Sequence, residues 1–222
     1  MKRQPPKPHP WGNRRISVLM LPIWFALMGK SCEVDVTDQR VADAITEVNQ
    51  VFRQGYKTML ADVGTKSYPL PVDKAAAAMK ETLTELGFSV VHSEADYYIA
   101  VTAPAPTPLS KQEWDRARSA DGPDFRRIAS KHLGLKGKLA KLSPDGLNID
   151  GVITLVGTAD GKTDISITFR FRETRPQPPE SILPRREYPP PTASRMGYEK
   201  IWKRFQAISG ARPNRSRGLP LT

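Results

Sequence analysis

The chain has 222 residues, and 39% of them are hydrophobic when tyrosine is included, which excludes a polytopic membrane protein. This length allows one ordinary domain with appendages, or two very small domains. The single cysteine excludes an internal disulfide framework and any metal site built on several cysteines. The 21 prolines are roughly twice the average usage and predict long stretches of non-helical connection.

The formal net charge of +11 is unevenly distributed along the chain. The first 31 residues contain no Asp or Glu, and they carry six positive charges on Lys2, Arg3, Lys7, Arg14, Arg15 and Lys30. Removal of this segment would leave a net charge of +5. The rest of the protein is therefore only moderately basic, which weakens a charge argument for nucleic-acid binding.

Residues 1–31 have the pattern of a secretory signal peptide. Arg14 and Arg15 are followed by an uncharged apolar run from Ile16 to Gly29, which is short for a transmembrane helix. A buried core helix is the alternative, but it would need polar residues at helical spacing, and this run offers only Ser17 and Pro22. We therefore expect export.

The only cysteine of the chain, Cys32, directly follows this segment. Gly29-Lys30-Ser31-Cys32 resembles the lipobox of bacterial lipoproteins, although Gly29 and Lys30 stand where that family has leucine and a small residue. The resemblance implies cleavage before Cys32, diacylglycerol on its sulfur, and an acyl chain such as palmitate on its freed amine. It also implies a membrane tether facing the periplasm, on either the inner or the outer membrane. The alternative is an ordinary buried cysteine.

Residues 32–65 are predicted to form a tether and an amphipathic helix. Between Asp38 and Leu60, apolar residues recur at steps of three and four, at Val41, Ile45, Val48, Phe52, Tyr56 and Met59. Gly64 is expected to end the helix. The segment from Tyr68 to Pro71 then continues in extended form.

Residues 66–210 are predicted to form an α+β domain. A first helix over 74–86 is expected to be capped by Asp73 and ended by Gly87. The predicted strands are 88–92, 96–103, 147–156 and 163–172, with a hairpin turn at Asp160-Gly161. Ser194 is expected to cap a final helix with the apolar stripe Tyr198, Ile201, Trp202, Phe205 and Ile208.

These elements predict a two-layer sandwich, in which a four-stranded antiparallel meander carries two helices on one face. The order resembles the helix-grip domains of bacterial envelope lipoproteins, and that resemblance implies an envelope protein with this fold. A connector over 174–193 contains seven prolines, and the basic tail over 211–222 is expected to be disordered.

A helical insertion is predicted between the strand pairs, over 104–146. Ser110 and Glu113 form a capping box, and Asp121 with Pro123 is expected to begin a second short helix. Residues 111–141 hold nine basic and four acidic groups. The candidates for binding an anionic surface are Arg116, Arg118, Arg126, Arg127, Lys131, Lys136 and Lys138. The alternative is a solvated helix face.

No catalytic, metal-ligating or cofactor-binding residue is assigned. His92 is expected to be a turn residue, and His132 is expected at the end of a helix, where the dipole favours it. Gly134 and Gly137 resemble the GXXG loop of RNA-binding KH domains, but a solvated connector is the simpler interpretation.

The favoured function is a non-enzymatic, membrane-tethered cell-envelope protein that binds a partner or supports an assembly. Its expected partners are the membrane, reached through the lipid on Cys32, and an anionic lipid or an envelope protein, with no nucleic acid. The alternative is a cytoplasmic nucleic-acid-binding protein that uses residues 111–141. An envelope hydrolase ranks last, because no nucleophile constellation is present.

Overall fold

The computed structural model describes residues 36–174 and 181–213. The predictions for the signal peptide, for Cys32 and for most of the tail fall outside these residues. In chain order the elements are α1 (Val36–Val63), β1 (Thr65–Tyr68), α2 (Val72–Glu85), β2 (Ser89–Glu94), β3 (Tyr98–Pro104), α3 (Lys111–Leu133), α4 (Leu135–Lys138), β4 (Leu147–Gly157), β5 (Thr163–Glu173) and α5 (Pro191–Ser209). Within the described ranges, no helix is long and apolar enough to cross a membrane.

The strands form one antiparallel sheet in the order β1-β5-β4-β3-β2. The α+β class is confirmed, but the expectation of four strands was wrong, because β1 adds a fifth. Thr65 pairs with Ser166 and Tyr68 with Thr163, so β1 lies against β5. Of the segment expected to be extended, from Tyr68 to Pro71, only Tyr68 belongs to this strand. Tyr68 precedes a proline, which favours extended backbone, but only the tertiary fold supplies the pairing partner.

One face of the sheet packs against helices and the other is open. In β5 the buried residues Ile165, Ile167 and Phe169 alternate with more exposed ones, because successive side chains of a strand point to opposite faces of the sheet. The expectation of two helices on this face was wrong. Besides α2 and α5, the C-terminal half of α1 contributes Tyr56 and Met59 to the same core, because its apolar stripe is long enough to reach the sheet.

The predicted pair of helices in the insertion is one long helix, α3, and the short helix α4 follows it. The capping box of Ser110 and Glu113 is present, but α3 continues through Pro123 to Leu133. Gly122 has no Cβ, which removes one of the clashes that disfavour helical backbone before proline. Asp121 does not cap a new helix, because its carboxylate accepts hydrogen bonds from the backbone N–H and hydroxyl of Thr192 at 3.0 and 2.7 Å.

Two other predicted helix caps were wrong. The last helix begins at Pro191, and the hydroxyl of Ser194 donates to the Pro190 carbonyl instead of capping the helix. Asp73 lies within the first turn of α2, whose N-cap is Pro71. At the other end of α2, Gly87 has a φ of 91°, which confirms the predicted glycine stop.

Candidate functional site

A half-open cavity of about 150 Å³ lies between the N-terminal half of α1, α3, the loop over 140–143 and the connector over 186–190. Its walls are mainly apolar. They are formed by Val41, Ala44, Ile45, Val48 and Phe52 of α1, Trp114, Phe125, Ala129 and Leu133 of α3, and Ala140, Leu142, Leu147, Phe171, Tyr188 and Pro190. An apolar cavity of roughly this size holds a molecule as large as benzene.

The two long helices that border the cavity are joined by Glu47 of α1. Its carboxylate lies 2.7 Å from Nζ of Lys131 and 2.8 Å from Nε2 of His132, both in the last turn of α3. These hydrogen bonds lower the pKa of Glu47 from its ordinary value. Near the start of α3, Trp114 and Ala117 pack with Ala193 of α5 in a second small core. Helix α3 is therefore held in place at both of its ends.

Asn49 of α1 holds the connector that forms another wall. Its Nδ2 donates to the Arg185 carbonyl at 2.8 Å, and its Oδ1 accepts the Glu187 N–H at 3.3 Å. The Glu187 carbonyl in turn accepts the N–H of Phe171 in β5 at 3.0 Å. These contacts give the proline-rich connector a defined position beside the cavity.

Two charged side chains, Arg186 and Lys141, line the cavity. Arg186 already has partners within the protein, because its Nε lies 3.3 Å from Oε1 of Glu173 and its guanidinium donates to the Ser143 carbonyl at 3.3 Å. Lys141 is exposed and forms no ion pair with any residue in the described ranges. Lys141 is therefore the cation available to a molecule in the cavity.

Trp114 contributes an unusual polar atom to this region. Its indole Nε1 is buried and has no hydrogen-bond acceptor among the residues that the structure describes. Leaving a buried donor without an acceptor costs roughly 1–3 kcal/mol. An acceptor supplied by a bound molecule or by water would remove this cost.

The structure brings together only part of the predicted basic patch. Arg118 and Arg126 line a recess of about 180 Å³ together with Lys141, which the sequence analysis did not select. Three residues of the predicted patch form ion pairs: Arg127 with Asp124, Lys131 with Glu47 and Arg118 with Asp115. Arg116 on α3 and Lys136 and Lys138 on α4 are exposed and lie outside the recess.

The histidines and the paired glycines have structural surroundings. His92 lies within β2 rather than in a turn, and His132 lies in the last turn of α3, near the helix end where it was expected. Gly137 packs so closely on α3 that a Cβ would lie 2.2 Å from the Ala129 carbonyl oxygen, which explains this glycine without RNA. No group of three His, Cys, Asp or Glu in the described part of the chain could hold a metal ion.

Sequence reasoning identified many residues of the cavity wall but not the cavity. Val41, Ile45, Val48 and Phe52 were placed on the apolar stripe of α1, and all four line the cavity. Periodicity shows which side chains avoid water, but it does not show whether two helix faces meet completely. No family model, curated protein sequence or solved structure matches this chain, so its function is argued from its own residues.

Proposed function

We propose that this protein is a non-enzymatic binding module of the bacterial cell envelope, tethered through lipid on Cys32 to a membrane and facing the periplasm. In this proposal it takes up a small apolar group in the cavity between α1 and α3. The observation that carries the proposal is the cavity itself, about 150 Å³ in volume and walled by apolar side chains. The tether rests on the sequence around Cys32.

A cavity of about 150 Å³ between two packed helices departs from the usual packing of a protein. Protein interiors are close-packed, and spaces larger than a water molecule are few in each domain. Binding sites combine apolar walls with a few polar groups, and here the polar groups are Asn49, Lys141, Ser143 and Arg186. The space is smaller than a typical drug-sized site, so it suits a group of benzene size or one end of a longer molecule.

The polar residues around the cavity support binding rather than chemistry. Asn49 and Arg186 hold backbone segments in place, and Glu47 joins α1 to α3. A catalytic pair would need a nucleophile and a base within hydrogen-bonding reach of each other and of the cavity. The contacts made by these three side chains instead give the cavity a fixed shape.

The exposed cations of α3 and α4 support an anionic membrane surface as a partner. Arg116, Lys136 and Lys138 are exposed and form no ion pairs within the described ranges. Near an anionic membrane each basic residue contributes about 1 kcal/mol to binding. A lipid tether would keep these residues close to such a surface.

Thermal unfolding with toluene tests the cavity as a binding site. Toluene is neutral and close to benzene in size, and a ligand that binds only the folded state at a hundred times its Kd stabilises that state by about 2.7 kcal/mol. We expect toluene to raise the Tm of the wild-type chain. In Ala140→Leu a larger side chain on the loop wall fills the cavity, so toluene should raise the Tm of this variant less, or not at all. An unchanged wild-type Tm at saturating toluene would refute the proposal.

A further inference from the structure

We propose that the ligand of this cavity is an anionic amphiphile, with its apolar chain between α1 and α3 and its carboxylate or phosphate group against Arg126 and Lys141. This inference rests on the proposed function and adds the chemical class of the ligand. It is carried by the relationship between the cavity and the basic recess beside it.

The two spaces share a wall. Phe125, Lys141 and Leu142 line both the apolar cavity and the basic recess, and Ala140 also borders both. The recess has a volume of about 180 Å³ and is also lined by Arg118, Ser119 and Arg126. The two spaces are therefore adjacent, and a molecule that reaches from one into the other would pass from apolar walls to cationic ones.

The charge at the recess is of one sign. Among the described residues no Asp or Glu lines either space. Arg118 lies 3.0 Å from Asp115 and is partly neutralised. Arg126 and Lys141 have no ion-pair partner within the ranges that the structure describes. An anion bound in the recess between these two unpaired cations would be attracted by both.

The types of these side chains also favour an anion with several oxygens. The guanidinium of Arg126 has a planar set of donors that matches carboxylate and phosphate groups, and Lys141 adds a mobile ammonium. Hydrogen bonds to charged groups are stronger than those between neutral groups. The anion would therefore add affinity that the apolar chain alone lacks.

Octanoate and 1-octanol form a matched pair of probes, because they share the chain length and differ in charge. Calorimetric titration of the full chain should show octanoate binding about tenfold or more tightly than 1-octanol. The octanoate affinity should fall as salt increases, whereas the 1-octanol affinity should not. Because both probes are small and soluble, their binding requires no membrane.

The double variant Arg126→Gln with Lys141→Gln should reduce the octanoate affinity to that of 1-octanol and leave 1-octanol binding unchanged. The matched control is Lys57→Gln with Lys74→Gln, which removes the same charge from exposed positions on α1 and α2 that border neither space. The control should bind octanoate within about twofold of wild type. If the double variant fails to fold, Lys141→Gln can be used alone, because it changes only an exposed loop residue. This single variant should still reduce the affinity for octanoate and leave the affinity for 1-octanol unchanged.

The outcomes separate this inference from the proposed function. Equal wild-type affinities for octanoate and 1-octanol would overturn the anionic ligand and leave the apolar binding site intact. Binding of neither probe, together with no effect of toluene, would overturn both.

The source of the amphiphile is addressed by incubating the chain with vesicles that contain phosphatidylglycerol and then analysing the re-isolated protein by mass spectrometry. A co-purifying lipid supports the inference with a membrane source. Its absence, with octanoate binding retained, supports the inference with a free carboxylic acid as the source.

Discussion

The hydroxyl of Tyr56 in α1 lies 2.9 Å from the hydroxyl of Tyr198 in α5, and both are buried against β5. Tyr56 accepts the Phe169 N–H at 2.7 Å, and Tyr198 donates to the Ile167 carbonyl at 3.0 Å. Tyr56 must then donate to Tyr198, which gives a continuous chain of hydrogen bonds between two backbone groups of one strand. Burial raises the pKa of both tyrosines, which keeps both hydroxyl protons in place.

These hydrogen bonds take the place of strand pairing along the part of β5 that has no neighbouring strand. The short strand β1 pairs with β5 only from Thr163 to Ser166. Beyond that point the tyrosine pair satisfies the backbone of β5, and farther along the Glu187 carbonyl accepts from Phe171. Unpaired strand edges promote association with other chains, so this cover protects the sheet.

Tyr56→Phe should lower the free energy of unfolding by about 1–3 kcal/mol, because the buried Phe169 N–H would lose its acceptor. Denaturant unfolding measures this change as a shift in the midpoint. Tyr97→Phe is the matched control, because it removes an exposed hydroxyl that donates to Glu94. Equal midpoint shifts for the two variants would mean that the buried pair adds no stability beyond that of an exposed tyrosine.

The lowered pKa of Glu113 predicts how the stability of the protein changes in acid. Hydrogen bonds from Lys200 and from the Ser110 backbone N–H, both 2.7 Å long, lower its pKa from the ordinary 4.5 to about 2. In the unfolded chain the carboxylate takes up its proton at a higher pH than in the folded protein. The stability that Glu113 contributes is therefore present above about pH 4.5 and is lost as pH falls towards 2.

Unfolding curves of Glu113→Gln at a series of pH values test this expectation. Wild type should be more stable than the variant above about pH 4.5, and the difference should shrink as pH falls towards 2. Glu81→Gln is the control, because Glu81 has no hydrogen bond or ion pair within the described residues. If the Glu113→Gln difference is constant over this range, the carboxylate does not titrate with a lowered pKa.

Cys32→Ser should release the protein from the membrane without changing its Tm. Cys32 precedes α1, which begins at Val36, so no role in the domain core is expected for its thiol. In the wild type, two or more acyl chains on Cys32 would anchor the protein stably in the membrane. Detergent phase partitioning compares the two forms. Aqueous partitioning of the wild type as well as the variant would show that Cys32 carries no lipid.

Replacing Arg116, Lys136 and Lys138 by Gln should weaken binding to anionic vesicles by about 1 kcal/mol for each residue. Binding should also decrease with salt, and neutral vesicles should bind neither form. A control variant with Lys57, Lys74 and Lys203 replaced by Gln removes the same charge from exposed positions on α1, α2 and α5. Equal losses in the two variants would mean that net charge alone governs binding. Steeply salt-dependent RNA binding without vesicle binding would favour the nucleic-acid alternative.

Local sequence signals predicted much of the secondary structure. The stripe of Trp202 and Phe205, the capping box at Ser110 and the turn at Gly161 each depend on neighbours a few residues away, and each is present. The missed features depend on distant partners. Strand β1 needs β5 beside it, and Asp121 serves the start of α5 rather than a helix of its own.

The candidate site was less accessible to sequence reasoning for the same reason. The basic patch was recognised as a run of charge, but the division of its members between ion pairs, open surface and recess depends on packing. Lys141 was counted among the basic residues without distinction, although it borders both the cavity and the recess. An apolar residue that lines a cavity has the same sequence signal as one that fills the core.

If one molecule occupies both spaces, a crystal structure of the protein with 8-bromooctanoate will show it there. The anomalous signal of bromine marks the end of the chain independently of the rest of the density. We predict a bromine peak between Val48 of α1 and Phe125 of α3, with the carboxylate against Arg126 and Lys141. Clear density for this ligand at another site, with no bromine in the cavity at saturating concentration, would mean that the cavity and the recess do not form one binding site.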